Sequence, residues 1–322
     1  MNYITSKLII IAAVLFSFLT NAQTKTATNE GEILWTANWS HNGGYIAIGG
    51  DDKKIRIYDG KTFELLKTHN HQSEVKRLRW HPKKNILAIA AIGNGSKLID
   101  LDTNKTIEFI GLNSNGSRAI AWNHNGKLIA LADFEGILTV WNTNGELINT
   151  INKKTTYSYV GVDWHPKKNE IITLSENVRI YNVKGDLLNQ FKHRKEEALM
   201  LCVKWHKSGK FFVMGDYGDP DIPLKPLLQF WKEDGTIIKQ KDLSKSEYRN
   251  VSWNKKGKRL ATASDDLRIW NKKGKLLYSG KSKDKLWGID WSPNGKHIVT
   301  SSEKGKIIIW NKKAKLITSL QK

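Results

Sequence analysis

Cysteine is almost missing from this 322-residue chain: Cys202 is the only one. An internal disulfide is therefore excluded, and the fold must rest on its packed interior alone. Proline is scarce at six, and three of the six, Pro220, Pro223 and Pro226, crowd into one stretch. Acidic residues are outnumbered, 31 against 52 lysines and arginines, for a formal net charge of +21. Long apolar runs are missing except for Leu8 to Leu19, which follows Lys7 and precedes Thr20, Asn21 and Ala22. A cationic start, a short apolar run and small residues before Gln23 have the shape of a secretory signal peptide over residues 1–22. The run is shorter than the roughly 20 apolar residues of a membrane span. An anchor helix that is never cut is the alternative. No cysteine follows the run, which argues against a lipid-modified N-terminus. The rest of the chain is expected to be exported to the periplasm or secreted, soluble and not membrane-spanning. Helical periodicity of useful length is absent too, as are G-x-S-x-G, a phosphate loop and paired catalytic carboxylates.

What the chain has in quantity is tryptophan, 13 in all. Trp39, Trp80, Trp122, Trp164, Trp205, Trp253 and Trp291 are 41, 42, 42, 41, 48 and 38 residues apart. Each opens the same phrase, from WSHNGGYIA through WHPKKNILA and WNKKGKRLA to WSPNGKHIV: an aromatic residue, a polar turn, then an apolar strand. A second strand ending in an aromatic follows in most repeats, as in KIRIYD (54–59), ILTVWN (137–142) and KIIIWN (306–311), with KLID (97–100) in the second. Another polar turn and another apolar stretch close the unit. Alternating runs around such turns are β-hairpins, so each unit holds four strands, a to d. In an antiparallel meander the a–b and c–d turns lie at one end. This explains why WNKKGK appears both at 253–258 and at 270–275: the two are the a–b and c–d turns of one sheet.

Repeats of about 42 residues bearing W-S-P-N-G-K (291–296) and R-I-W-N (268–271) resemble WD40 repeats. The resemblance covers roughly 32–322. It implies an all-β fold, a seven-bladed β-propeller of four-stranded antiparallel blades. The blades fall near 32–71, 72–115, 116–156, 157–197, 198–246, 247–284 and 285–322, after a flexible leader at 23–31. The family's terminal Trp-Asp is Tyr-Asp once (58–59) and mostly Trp-Asn or Tyr-Asn. Its Gly-His signal survives as His71 and its turn aspartate most clearly as Asp52. The hydrogen-bonded Asp-His-Ser/Thr-Trp set is thus expected to be incomplete in every blade. The last repeat already has an outer strand, LITSL (316–320), so the ring is expected to close by packing, without a swapped strand.

The resemblance also implies binding on the face formed by the b–c and d–a connections. The residues four before the repeat tryptophans sit at its rim. Of these, Arg249, Trp287, Trp35, Lys76 and Arg118 come from neighbouring blades and form one arc. Exposed tryptophans beside arginines are what interface anchors look like. The bland alternative is that both tryptophans fold down and pack on adjacent blades. Residues 215–231 form an insertion that adds Tyr217 to this face. Its Asp216, Asp219 and Asp221 carry oxygen ligands suited to calcium, but the spacing does not fit an EF-hand and such pairs are ordinary turn chemistry. The residues just before the tryptophans, Asn38, Arg79, Ala121, Asp163, Lys204, Ser252 and Asp290, line the central channel, where ordered water is the default filling. They lack a cluster at metal-ligand spacing, so no metal and no cofactor is expected. His81, His165 and His206 stand in separate repeats, so no two share a ligand. Cys202 lies in an innermost strand and reads as a buried small residue.

These features favour a non-enzymatic, monomeric scaffold for a protein or peptide. The alternative is a lectin-like propeller that binds an anionic polymer through Trp35, Trp287 and the arginines. The lysines of the a–b and c–d turns gather on the opposite face. There they suit an anionic glycan or envelope surface, or simply keep the protein soluble. Nucleic acid is not expected of an exported chain.

Overall fold

A computed structural model of the chain describes residues 33–112, 114–151, 158–219, 221, 223–320 and 322. The expected signal segment at 1–22 and leader at 23–31 lie outside the described residues. Seven four-stranded sheets make up the fold, each an antiparallel meander in sequence order, and the only helix among the described residues is one 3-10 turn, Gly93–Gly95. The chain is a seven-bladed β-propeller. Every innermost strand ends on a repeat tryptophan: Thr36–Trp39, Val75–Trp80, Ser117–Trp122, Gly161–Trp164, Met200–Trp205, Asn250–Trp253 and Leu286–Trp291.

Burial falls outward along each blade. Strand b of blade two, Ile86–Ala91, is buried at every residue, because both of its faces meet other blades. Strand d of blade one, Leu65–Asn70, is almost wholly exposed. The apolar interior is accordingly divided among the joints. Ala47, Ile55 and Ile57 of blade one meet Leu78, Trp80 and Leu87 of blade two, and Leu34, Trp39 and Ile46 meet Val299, Ile307 and Ile309 of blade seven. The second cluster closes the ring. Ser301 Oγ donates to the Leu34 carbonyl at 2.7 Å, and Leu34 N donates to the Ser302 carbonyl at 3.1 Å. Blade seven takes all four strands from Leu286 to Leu320, with Leu316–Leu320 outermost.

The repeat tryptophans tie blades together as well as filling joints. The indole of Trp80 donates to the Asn38 carbonyl at 3.0 Å, that of Trp122 to Arg79 at 3.0 Å, and that of Trp164 to Ala121 at 2.9 Å. Side chains preceding the tryptophans return the contact. Asn38 accepts from Trp80 N at 3.0 Å, Asp163 from Trp205 N at 2.8 Å, and Asp290 from Trp39 N at 2.9 Å. The histidines that follow are staples of the same kind. His81 Nδ1 accepts from the Lys83 and Lys84 amides of its own turn, so Nε2 carries the proton and donates to the Gly126 carbonyl of the next blade at 3.0 Å. His165 repeats this toward Gly209, and His206 bonds Gly257.

The change from Trp-Asp to Trp-Asn has a physical reading. In the c–d turns the residue after the aromatic accepts amide hydrogens from the residues ahead. Asp59 takes them from Lys61 and Thr62, and Asn271 takes them from Lys273 and Lys275. Only a side-chain oxygen is required, and asparagine has one. The family's internal set is mostly dispersed, as expected: Asp52 pairs with Arg56 at 2.6 Å while His71 contacts the Ser73 carbonyl. Blade five comes nearest to the set without completing it, since no Ser/Thr stands in it and, among the described residues, His193 Nε2 has no hydrogen-bond partner. Buried His193 lies 3.4 Å from the Asp216 carboxylate, Gln229 donates to the His193 carbonyl, and Trp231 donates to Gln229. Glutamine replaces the Ser/Thr member, and His193 sits twelve residues before Trp205 instead of nine, which hid it from the pattern.

Candidate functional site

The rim of the b–c/d–a face is shaped by irregularities in the innermost strands. In blade two the pairing runs from Val75 with Ala91 to Arg77 with Ala90, leaving Lys76 unpaired. Arg118 is skipped in the same way in blade three, Leu201 in blade five, and blade seven shifts register across Trp287. Such bulges turn a side chain out of the pleat. In blades one, four and six the strand starts one residue later, so Trp35, Val160 and Arg249 precede it.

These side chains stack. The Trp35 and Trp287 rings meet edge to face with centroids 4.2 Å apart. Lys76 Nζ lies 4.2 Å from the Trp35 ring, and the Arg249 guanidinium lies 4.0 Å from the Trp287 ring and 5.7 Å from the Tyr217 ring. The run Tyr217, Arg249, Trp287, Trp35, Lys76 therefore crosses blades five, six, seven, one and two without a break. Carboxylates brace it from below. Lys76 pairs with Asp51 at 2.8 Å and Glu74 at 2.6 Å, Arg249 with Glu247 at 2.8 Å, and the Trp35 indole donates to Asp51. Burial lifts the Asp51 carboxyl above its usual range against the pull of Lys76; Glu247 is held below its range, because Arg249 and Lys285 outweigh burial there.

Not all of the expected arc is an exposed anchor. Trp287 is only 6% exposed and has folded down as a platform, while Trp35, Lys76, Arg249 and Tyr217 remain half-buried. Arg118 stands apart, 5.8 Å from the Phe134 ring. The insertion leaves its strand after Asp216, folds back through a bridge between Asp219 and Leu224, and rejoins the sheet at Leu228. Its carboxylates are turn acceptors. Asp216 takes the Gly218 and Leu227 amides and pairs with Arg194 at 3.1 Å, and Asp219 takes the Asp221 amide. Among the described residues no three carboxylates, histidines or cysteines gather at metal-binding distance.

In the channel, Asp290 also accepts from Asn38 Nδ2 at 2.7 Å and Ser252 Oγ at 2.6 Å, and Lys204 pairs with Asp163 at 2.6 Å. Cys202 is buried, its thiol pushed up to about 12 by desolvation and donating to the Tyr248 carbonyl at 3.3 Å, which leaves it inert. On the opposite face the turn lysines, Lys83, Lys84, Lys255, Lys256, Lys272, Lys273, Lys312 and Lys313 among them, are all exposed. Lys168 is the one turn lysine with carboxylates in reach among the described residues, Glu170 at 3.3 Å and Glu233 at 3.0 Å.

The sequence pattern found the rim residues but missed their bracing. Nothing in the repeat marks Asp51, Glu74 or Glu247 as partners, although Glu74 and Glu247 each stand two residues before the cation they hold.

Several repeat families match the chain. The family described as WD domain, G-beta repeat, matches residues 22–59 and 274–311. The Anaphase-promoting complex subunit 4 WD40 domain family matches 61–117, and the Eukaryotic translation initiation factor eIF2A family matches 96–197 and 174–289. The last two matches overlap over 174–197. The chain is similar to the Probable cytosolic iron-sulfur protein assembly protein 1 of Kluyveromyces lactis, 26% identical over 33% of this chain and 37% of the relative. It is similar to the WD repeat-containing protein slp1 of Schizosaccharomyces pombe, 21% identical over 75% of this chain and 50% of the relative. It is similar also to the SIR4-interacting protein SIF2 of Saccharomyces cerevisiae, 26% identical over 65% and 41%. The matched stretches thus span half or less of each relative.

Proposed function

Proceeding from a seven-bladed β-propeller with repeats similar to the WD domain, G-beta repeat family, we propose that this chain is an exported, non-enzymatic scaffold. It binds a protein or peptide segment on the b–c/d–a face. One observation carries this reading: the stack from Tyr217 to Lys76, contributed by five blades and braced by Asp51, Glu74 and Glu247 before any partner arrives. Rigid aromatic and cationic groups already in place lose little freedom on binding, which is what interface anchors need. Trp35 and Tyr217 supply the accessible surface, and buried Trp287 holds Trp35 and Arg249 in position.

The test compares proteins captured from an envelope extract by the wild-type chain and by Trp35→Ala plus Tyr217→Ala. A specific protein lost with the two substitutions is the expected result. Capture that survives them refutes the assignment of the face. A glycan array that lights up with the wild type, and dims with the variant, would replace the scaffold with the lectin-like reading. Export rests on residues 1–22. Chain recovered outside the cytoplasm should begin at Gln23, and full-length chain retained inside the cell refutes this part.

The exposed turn lysines favour a second role, loose attachment of the opposite face to an anionic glycan or envelope surface. Attachment of this kind weakens steeply with salt. Retention on a heparin column well beyond physiological salt is expected; elution near it reduces the lysine face to solubilising surface.

A further inference from the structure

The turns of the lysine-bearing face are not equivalent. In blades one to five every c–d turn holds a carboxylate, Asp59, Asp100, Glu146, Asp186 and Glu233 among them. The four turns of blades six and seven, 254–258, 271–275, 292–296 and 311–315, hold ten lysines and no carboxylate. All ten lysines are exposed, and among the described residues none forms an ion pair. Arg259 joins the two blades on this side, its Nη1 donating to the Lys312 carbonyl at 2.9 Å. Positive charge is therefore concentrated on one sector of the disc.

Two sibling turns show where an anion fits. In blades three and four the asparagine after the aromatic commits its carboxamide oxygen to the backbone. Asn142 Oδ1 takes the Asn144 and Glu146 amides at 2.9 and 3.0 Å, and Asn182 Oδ1 takes that of Asp186 at 3.1 Å. Only the oxygen accepts, so the NH2 group faces the other way. The carboxylate four residues on meets it: Glu146 accepts from Asn142 Nδ2 at 2.5 Å, and Asp186 from Asn182 Nδ2 at 2.7 Å. Blades six and seven build the same turn. Asn271 Oδ1 takes the Lys273 and Lys275 amides at 2.8 and 3.0 Å, and Asn311 Oδ1 those of Lys313 and Lys315 at 2.8 and 3.2 Å. The residue four on is now Lys275 or Lys315. Among the described residues, Asn271 Nδ2 and Asn311 Nδ2 have no acceptor. The donor stays in place, the built-in oxyanion is gone, and a lysine stands where it was rooted.

At blade seven this place opens into a depression of about 470 Å³ lined by Lys296, Asn311, Lys312, Lys313 and Lys315. Ligand clefts run to roughly 300–1,000 Å³. Four ammonium groups and an amide suit a group with several charged acceptor oxygens, to which hydrogen bonds are strongest.

We propose that the c–d turns of blades six and seven are oxyanion sites for the charged groups of an anionic glycan, with the depression around Asn311 the principal one. The glycan rests on the reading that the lysine face meets an anionic glycan or envelope surface; the location rests on the sibling turns.

The test is calorimetric titration of the full chain with dextran sulfate, polygalacturonate and uncharged dextran at about 0.15 M salt, which screens the diffuse field of the face. The charged polymers are expected to bind and dextran not to. Lys275→Glu plus Lys315→Glu restores the carboxylate of the sibling turns, so each asparagine caps itself. This variant should bind about ten- to a hundredfold more weakly and melt at or above the wild-type temperature. Lys127→Glu plus Lys184→Glu makes the same change of charge on blades three and four and should cost less than about threefold. Equal losses in the two variants would overturn the located sites and leave the broader attachment reading standing. If no charged polymer binds, both fall. A site variant that melts below wild type refutes the likeness to the sibling turns. Binding of dextran sulfate alone assigns the sulfate ester, and of polygalacturonate alone the carboxylate. Binding to phosphatidylglycerol vesicles but to neither polysaccharide overturns the glycan.

Discussion

Asp290→Ala removes the acceptor on which three blades converge. Its carboxylate takes Trp39 N at 2.9 Å and Asn38 Nδ2 at 2.7 Å from blade one, and Ser252 Oγ at 2.6 Å from blade six. Trp39 N is buried and would be left without an acceptor, a loss of about 1–3 kcal/mol. Asn38 and Ser252 border the channel, where water can replace part of what they lose, so together they add about 1 kcal/mol. The expected destabilisation is about 2–4 kcal/mol, or roughly 3–7 °C in melting temperature for a chain of this size. Asp290→Asn separates the geometry from the charge. Its amide oxygen still accepts from Trp39 and Asn38, and its NH2 can donate to Ser252 Oγ. Burial raises the Asp290 carboxyl above the usual carboxylate range. A folded-state value above the unfolded one means a contribution present at low pH and lost as pH rises through that value, so at neutral pH the charged form is held at a cost. Asparagine removes this cost and should stay within about 1 kcal/mol of wild type. Thermal denaturation followed by circular dichroism at neutral pH ranks the three proteins. An alanine variant that melts with the wild type, or an asparagine variant that falls as far as alanine, refutes the proposed closure.

Acid should loosen the joints. Burial holds His81 and His206 below the ordinary histidine value, so as pH falls the unfolded chain takes up these protons first. Stability fully present above about pH 6.5 should be lost progressively as pH falls below it. Melting temperatures should drop with it, and His81→Gln plus His206→Gln should make the curve shallower; an unchanged slope rules out the staples as its source. Two glycines provide a matched pair. Gly257 and Gly295 have φ of +67° and +68°, but a Cβ at Gly257 would lie 2.6 Å from His206 Nε2, whereas one at Gly295 meets nothing within 4 Å. Alanine should cost about 1–2 kcal/mol at Gly295, from backbone strain alone, and clearly more at Gly257. Equal losses in urea denaturation would contradict the staple geometry.

Most of the fold was written in the spacing of seven tryptophans, because each blade repeats one local solution and needs only its neighbours. The residues just before the repeat tryptophans, Asn38 and Asp163 among them, were legible by spacing, yet their work was hidden: they accept from a tryptophan more than 40 positions away. The histidines invited the same oversight, since their partners are glycine carbonyls, which no side-chain pattern can show. At the rim, the position four before each tryptophan was visible, but the bulges that aim Lys76 and Arg118 were not. Trp287 went under because Arg249 and Trp35 close over it, a matter of packing among three blades.

The c–d turns decouple electrostatics from architecture. Since an amide or a carboxylate oxygen receives the same backbone hydrogens there, Asn142, Asn182, Asn271 and Asn311 can stand where Asp59 and Asp100 stand elsewhere in the chain. Each such exchange shifts the potential of that side by one unit while the backbone keeps its path. A lineage could therefore retune how strongly this disc is drawn to acidic surroundings, one turn at a time, without renegotiating how its blades assemble.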